Sequence, residues 1–325
     1  MNIIQRYQKA KVIFIAYHFY PKGGSTVSAN HYHQYWTGRG EVVEKISKDS
    51  RFGFIRILIA FFFGKKVIMN GLYCFYFWDL ILFTCFRKDT VIYLQEAEDA
   101  IKHFQANAPY KYKIVKKLLR RNRVACISAL QENYLKQHLG AERTQLVYNT
   151  LPFIKQITPD SSFVKILMAG YLMSRKGVSF YSELADYAKK KNEAWKFYWL
   201  GNGNPKGLYL SENVEWLGYQ SNPHFYFDKI DVFFLSSIDE PLGLVCAEAL
   251  MHHKKCVVYK NSGFAELIEN IEGCAIYDQY KIEDAYQALQ KAIHQPLDTE
   301  KTDAVLNSKL SVEKFSENFD QWLLL

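Results

Sequence analysis

Close-set cysteines are missing from this chain. The six it has, Cys74, Cys85, Cys126, Cys246, Cys256 and Cys274, are scattered, which excludes zinc-ribbon spacing and a Cys-x-x-Cys redox pair. An export signal is missing too. The opening stretch MNIIQRYQKAKVIFIAYHFY carries basic residues, but its apolar run at residues 12–17 is too short for a signal core and no small-residue cleavage site follows. That run reads as a first buried strand, and the cysteines as buried thiols in a reducing cytoplasm. No repeat of about 20–50 residues and no low-complexity tract occurs, which sets aside solenoids and disordered tails. No Asp-x-Asp pair follows a strand, and His and Cys never take metal-ligand spacing, so neither a metal nor another cofactor is expected. Nucleic acid is a poor partner as well, because the basic residues come with aliphatic stripes rather than a reader motif.

One apolar run is as long as a membrane span needs, VIMNGLYCFYFWDLILFTCF at residues 67–86. It contains Asn70, Gly71 and Asp79, and an Asp at mid-span costs roughly 2.5–3.5 kcal/mol. The run therefore splits into a strand at 67–69, a turn at Asn70–Gly71 and a helix to Phe86. What remains is an ordinary globular composition in 325 residues, enough for two domains that each bury a core. Aromatic residues reach 16%, a level that favours a surface touching lipid or sugar. Charge is unevenly placed. Residues 1–150 hold 23 Lys and Arg against 10 Asp and Glu, whereas residues 151–325 hold 18 against 23. Only the first half is suited to an anionic partner.

Short apolar runs alternate with helical patterns. Strands are predicted at residues 12–17, 41–46, 67–69, 91–94, 124–127 and 145–148, with helices at 54–63, 110–121 and 130–138. The pattern restarts after Pro152, with strands at 165–169, 196–200, 232–235 and 256–259 and a helix at 179–190. Alternation of this kind predicts an α/β chain of two parallel sheets, each covered on both faces. Two such domains leave a cleft between the carboxyl ends of their strands, where ligands of open sheets bind.

The stretch richest in chemistry is SSIDEPLGLVCAEAL, residues 236–250. A strand ending at Leu235 runs into a short acidic loop, then Pro241 and Gly243, then a helix from about Leu244. The free N–H groups and positive dipole end of that helix favour a phosphate or an electron-rich hydroxyl. Glu240 before the helix and Glu248 inside it flank this anion site, and carboxylates accept hydrogen bonds from sugar hydroxyls. The alternative is a capped helix with an incidental acidic residue.

Glu, seven residues, Glu, with Pro-Leu-Gly-Leu after the first and Ala-Leu after the second, resembles the donor-site signature of family 4 retaining glycosyltransferases. The sequence VVYKNSGFAELIENIEGCAIY that follows is similar to the family's next strand, small-residue loop and turn. The resemblance implies the GT-B fold, two facing Rossmann-like domains with a cleft between them. Residues 1–152, joined by a returning helix at 311–325, would face acceptor and membrane; residues 153–310 would hold the donor. It implies that Glu240 contacts the donor sugar and Glu248 the ribose, with backbone contacts from Leu242, Gly243 and Leu244. In ILMAGYLMSRKGVSFYSELA, Lys176–Gly177 stands where the family has Lys-Gly, which implies a diphosphate ligand. The family's Arg is replaced by Tyr171, and Arg175 is near enough in sequence to substitute, since a guanidinium pairs well with phosphate.

Gly23 and Gly24, in YHFYPKGGSTVSANHYHQYW, match the family's phosphate-side loop, and glycines there let backbone approach a diphosphate. His18, His31 and His33 nearby read as packing or surface groups. After the strand TVIYLQ the family places a histidine on the acceptor side. This chain offers Gln95, Glu96, Glu98 and Asp99, of which Glu96 is the candidate to orient the acceptor hydroxyl or support an ion-pair transition state. The alternative is an acidic helix start.

In KYKIVKKLLRRNR, residues 111–123, seven of thirteen residues are Lys or Arg and none is acidic. Tyr112, Val115, Leu118 and Leu119 form an apolar stripe, and Lys113, Lys116, Lys117, Arg120 and Arg121 its cationic flank. Helices bound to anionic membranes look like this, each basic residue adding about 1 kcal/mol; an ordinary helix with a solvated basic face is the alternative. Taken together, the resemblance implies a metal-independent, retaining, hexosyl-type glycosyltransferase, cytoplasmic and peripheral on the inner face of the cytoplasmic membrane. It would move a sugar from a nucleotide-sugar donor to a lipid-linked or growing glycan acceptor of a bacterial surface polysaccharide (lipopolysaccharide, capsule or exopolysaccharide). Tyr171 motivates the rival, a catalytically degenerate GT-B protein that binds glycan or lipid and supports a partner transferase.

Overall fold

A computed structural model describes residues 2–17, 24–64, 66–72, 90–96, 98–150 and 163–324. Contacts divide the chain into two units, Met1–Pro152 with Lys309–Leu325, and Phe153–Ser308. The predicted helix reaching Phe86 lies outside the described residues. Among the described residues no helix is long and apolar enough to cross a membrane.

The first unit is built on six parallel strands in the order β2-β1-β3-β4-β5-β6. These are β1 (Val12–Ala16), β2 (Val43–Ser47), β3 (Val67–Asn70), β4 (Thr90–Leu94), β5 (Arg123–Cys126) and β6 (Thr144–Leu146). Every residue of β1, β3 and β4 is buried, as expected of parallel strands covered on both faces, which read as unbroken apolar runs. The predicted strands at 41–46 and 145–148 form with shifted ends. Helix termini and short edge strands are set by pairing partners that periodicity does not contain.

One face of this sheet is covered by α1 (Ile3–Lys9), α3 (Gly53–Phe63), α5 (Pro109–Arg121) and α6 (Ala129–Tyr134). They bring Tyr7, Ile57, Ala60, Phe61, Leu118, Leu119 and Tyr134 onto Ile13, Ile15, Met69, Ile92 and Leu94 in one core cluster. Between β4 and α5 lies α4 (Glu98–Asn107). Pro109 opens α5 at a position where a missing N–H costs nothing. Its final Arg120 and Arg121 suit the negative end of the helix dipole. Ser128 caps α6 by accepting the Gln131 N–H at 3.2 Å. The predicted helix at 130–138 continues as a wider turn to Leu139, closed by Gly140 at φ 66°.

The other face is covered by α2 (Gly24–Thr37) and by the returning chain end, α13 (Val312–Leu324). Phe14 and Tyr93, the alternate residues of their strands, meet Tyr32, Phe315 and Phe319 there. The Tyr32 ring lies 5.2 Å from Phe14 and 5.6 Å from Phe319, and Tyr93 lies 5.1 Å from Phe319. The Tyr32 hydroxyl donates to Asp320, whose other oxygen is 2.9 Å from Lys11 Nζ. Burial, and then the Asp320 charge, raises the Tyr32 pKa, so its proton stays for that bond.

The second unit repeats the theme with the order β12-β11-β10-β7-β8-β9, again parallel. Its strands are β7 (Val164–Ala169), β8 (Trp195–Leu200), β9 (Val214–Gly218), β10 (Val232–Leu235), β11 (Lys255–Tyr259) and β12 (Ala275–Tyr277). The helices are α7 (Val178–Lys190), α8 (His224–Phe227), α9 (Leu244–Met251), α10 (Ala265–Ile268), α11 (Ile282–His294) and α12 (Thr299–Val305). Tyr181 of α7 is buried against the sheet and donates to the Ile166 carbonyl at 3.0 Å. The two edge strands, β9 and β12, were not expected from the sequence. Glu215 and Trp216 are exposed on β9, and β12 is three residues long.

Candidate functional site

In the second sheet β7 and β10 are neighbours, paired through Val232↔Ile166 and Phe233↔Leu167. The chain leaves β7 toward β8 on one side and leaves β10 toward β11 on the other. That reversal opens a crevice at the strands' carboxyl ends, the usual ligand site of an open parallel sheet. Both loops that carry the candidate residues start there.

After β7 the chain passes Gly170 and Tyr171 and makes one tight turn, Ser174–Lys176, closed by Gly177 at φ 72°. A Cβ on Gly177 would lie 1.9 Å from the Ser236 carbonyl oxygen. Only glycine lets the two loops meet so closely. The contact is then sewn up by hydrogen bonds. Ser236 Oγ donates to the Lys176 carbonyl at 2.7 Å and Tyr280 OH to the Ser236 carbonyl at 2.7 Å. The Ile238 N–H donates to the Arg175 carbonyl at 3.0 Å, and Arg175 Nη1 donates to the Asp239 carbonyl at 2.8 Å.

These bonds hold Lys176 against Glu240. Lys176 Nζ donates to Glu240 Oε2, and Ser237 Oγ donates to the same oxygen at 3.1 Å. The Glu240 backbone is fixed as well, bridged to Ser262 and accepting the Gly263 N–H at 2.8 Å. Glu240 is buried, yet its Oε1 has no partner among the described residues. Lys176 spends one of its three N–H bonds, so both members of the pair keep capacity for a ligand.

Leu242 is buried, and Gly243 at φ 89° turns the chain into α9. The Cys246 N–H donates to the Gly243 carbonyl at 2.9 Å, while the N–H groups of Leu244 and Val245, ahead of it at the helix start, have no intrahelical acceptor, as an anion site needs. Glu248 stands one turn further on, above Leu244, and helix side chains lean toward the N-terminus. It is partly buried and has no hydrogen-bond or ion-pair partner among the described residues. Burial pushes its pKa up to about 7.

Thus Lys176, Arg175, Glu240, Leu242, Gly243, Leu244 and Glu248 gather on two adjoining loops and one helix start. Sequence reasoning missed Ser237, Ser262 and Tyr280, which lock this arrangement. The paired serines before Ile238 were a local signal for Ser237; Tyr280 had none. Tyr171 is 57% exposed beside these residues.

In the first unit, Gly23 lies outside the described residues and Gly24 opens α2. Glu96 follows β4 and is buried. Its carboxylate accepts the Leu72 N–H and, at 3.2 Å, the Gln95 N–H, while its carbonyl accepts from Gln131 Nε2 at 2.9 Å. Gly71 has φ 85°, which favours glycine, and a Cβ there would lie 2.8 Å from Glu96 Oε1. The carboxylate closes the turn after β3. Beside it Tyr93 OH donates to Asn149 Oδ1 and Asn149 Nδ2 to Gln95 Oε1 at 3.0 Å, leaving Gln95 Nε2 buried and unpaired. On α5, Lys113, Lys116, Lys117, Arg120 and Arg121 line a shallow groove of about 440 Å³. Arg120 is tied to the Leu139 carbonyl at 2.8 Å.

Residues 152–309 match the family model described as glycosyl transferases group 1. A Haemophilus influenzae protein described as an uncharacterized glycosyltransferase is 25% identical over 166 residues. That match spans 47% of this chain and 47% of the relative, under half the length of either. The fold is shared over almost the whole chain. Against the crystal structure of Anabaena HepE in complex with UDP and glucose the TM-score is 0.72 at 15% identity, covering 97% of this chain and 99% of that one. Against WaaG, a glycosyltransferase involved in lipopolysaccharide biosynthesis, it is 0.65 at 15% identity, covering 96% and 99%.

Proposed function

Residues 152–309 belong to the glycosyl transferases group 1 and the chain has the α/β GT-B fold; from this premise we propose that the protein is a retaining glycosyltransferase with a nucleotide-sugar donor. One observation carries the reading: the Lys176–Glu240 pair at the carboxyl ends of β7 and β10, with Glu240 Oε1 and Glu248 without a partner among the described residues. The donor diphosphate takes the N–H groups at the start of α9, the spare Lys176 donors and the reach of Arg175. Glu240 Oε1 accepts a hydroxyl of the donor sugar, and Glu248 accepts the ribose hydroxyls.

As the bond from the anomeric carbon to the diphosphate oxygen breaks, Lys176, Arg175 and the α9 dipole take up the developing charge, without a metal ion. The acceptor hydroxyl attacks the same face, and its proton passes to the departing oxygen. The acceptor is a lipid-linked or growing glycan of a bacterial surface polysaccharide, reached with the basic first unit peripheral on the inner membrane face. The complex of HepE with UDP and glucose, and the part WaaG takes in lipopolysaccharide biosynthesis, support a hexosyl donor and a surface glycan. Donor turnover by Glu240→Ala tests the assignment: a large loss is expected, and unchanged turnover would sink it. A thermal-shift panel of UDP-, GDP-, dTDP- and CMP-sugars identifies the nucleotide, because a ligand of the folded state raises its stability by mass action.

Tyr171, in the place of the family's arginine, motivates a second reading, a degenerate GT-B protein that binds glycan or lipid for a partner transferase. A well-folded sample that binds no nucleotide sugar by calorimetry would favour it.

A further inference from the structure

Helix α3 is apolar all round. Of GFIRILIAFFF only Arg56 is polar, and its guanidinium is turned inward to Tyr7 OH at 3.1 Å and the Lys45 carbonyl at 3.3 Å. Ile57, Ala60 and Phe61 face the core. The opposite side, where a surface helix ordinarily carries polar residues, presents Phe54, Ile55 and Phe62 at 51, 55 and 70% exposure, with Phe52 just before it at 59%. Nothing on that side can donate or accept a hydrogen bond, so its partner must ask for none. Contiguous exposed apolar surface of this kind marks an interaction site.

The chemistry of the partner follows from what shares the face. The crossovers from β2 to β3 and from β4 to β5 run in the same direction across the first sheet. Right-handed connections therefore put α3 and α5 on the same side, and their inward residues meet in one core cluster. The outward side of α5 carries Lys113, Lys116, Lys117, Arg120 and Arg121 around its shallow groove, with no acidic residue in the helix. Arg51 and Lys48, also cationic, precede α3. An apolar helix and a cationic one on the same side of the sheet are complementary to a surface that is anionic outside and hydrocarbon beneath.

We propose that α3 and α5 together form a membrane-docking face: Phe54, Ile55 and Phe62 enter the headgroup–acyl boundary of an anionic bilayer while the α5 lysines and arginines hold its phosphates. The inference rests on the peripheral-membrane reading above and names the surface that executes it.

Co-sedimentation of the full chain with phosphatidylcholine vesicles, with and without a third of phosphatidylglycerol, tests it. Wild type is expected to bind the anionic vesicles and to be released by salt. Phe54→Gln/Ile55→Gln/Phe62→Gln, with an unchanged cooperative melting transition, is expected to lower binding roughly tenfold or more. The emission that Phe62→Trp adds over wild type, which has six tryptophans of its own, is expected to lie to the blue on binding and to be quenched by brominated acyl chains. If the triple variant binds like wild type, or the tryptophan stays in water while the protein binds, insertion by α3 is overturned. Loss of binding only in Lys113→Glu/Lys117→Glu would overturn it while leaving the membrane reading standing. Absence of wild-type binding to any vesicle would sink that reading too. A wild-type dimer that the triple variant abolishes would make α3 a self-association face and overturn the proposal.

Discussion

Replacing Glu248 with glutamine is expected to make the protein more stable and worse at its task. Burial raises the Glu248 pKa from 4.5 to about 7, and no cation among the described residues offsets the charge. An acid whose folded pKa lies above its unfolded value is easier to protonate when folded. Its ionised form therefore costs stability, by about 1.36 kcal/mol for each pH unit between the two values. That cost is absent below 4.5, grows as pH rises toward about 7 and is constant above. It amounts to about 3 kcal/mol at most, less where the site admits water. Glu248→Gln should then be nearly neutral near pH 4.5 and raise the melting midpoint by several degrees at pH 8. Donor binding should move the other way. If ribose hydroxyls need the carboxylate, affinity for a nucleotide sugar, whose diphosphate diester does not titrate here, should be roughly tenfold weaker at pH 6 than at pH 8. In the glutamine variant it should be weak and flat. Unfolding and calorimetry at three pH values read both effects. A variant that is less stable than wild type at pH 8, or a stability difference that ignores pH, would refute the reasoning.

Lys176→Met leaves a buried Glu240 carboxylate without its cation and should cost about 1–3 kcal/mol by chemical denaturation; adding Glu240→Gln should recover most of that loss but no donor turnover. Gly177→Ala forces a Cβ to 1.9 Å from the Ser236 carbonyl, so denaturant unfolding should show a loss of about 2 kcal/mol or more together with lost donor binding. Phe319→Ala empties the Phe14–Tyr32–Tyr93 cluster, which should cost about 3–5 kcal/mol and release α13 to proteolysis while the isolated nucleotide-binding signal of the second unit survives.

The α/β alternation was legible because buried parallel strands need unbroken apolar runs. Residues 232–235 and 165–169 read as strands without a partner in sight, and Leu235 marked the end of one correctly. The edges were not legible. Glu215 and Trp216 dilute β9, and Ala275–Tyr277 is too short for a period to show. In the site, Glu240 and Glu248 could be read because one local segment carries strand end, turn and helix start together. The bond from Lys176 to Glu240 spans 64 positions and depends on Gly177 fitting under Ser236, a contact that no spacing reports. Glu96 shows the opposite case. Its place after a strand suggested chemistry, and nothing local reported that its carboxylate also takes the Leu72 N–H, a neighbour only when β3 and β4 pair.

The two carboxylates of EPLGLVCAE therefore stand under different electrostatic terms, and on the proposed reading that difference divides their roles. Glu240 has its charge offset by Lys176 and its position set by Ser237 and the bridge to Ser262. The pair does not have to break for a ligand to enter, since Oε1 and the remaining Lys176 donors are still available. A group held this way is suited to the reacting end of a donor, where small displacements are costly. Glu248 has no such support among the described residues, and burial holds its pKa up at about 7. Its charge becomes favourable only when hydroxyl donors arrive, so part of the binding energy at that end is spent on ionising it. On the proposed reading discrimination follows: a molecule lacking those hydroxyls leaves Glu248 protonated and without a partner for its charge, whereas the reacting end is held in place with or without them.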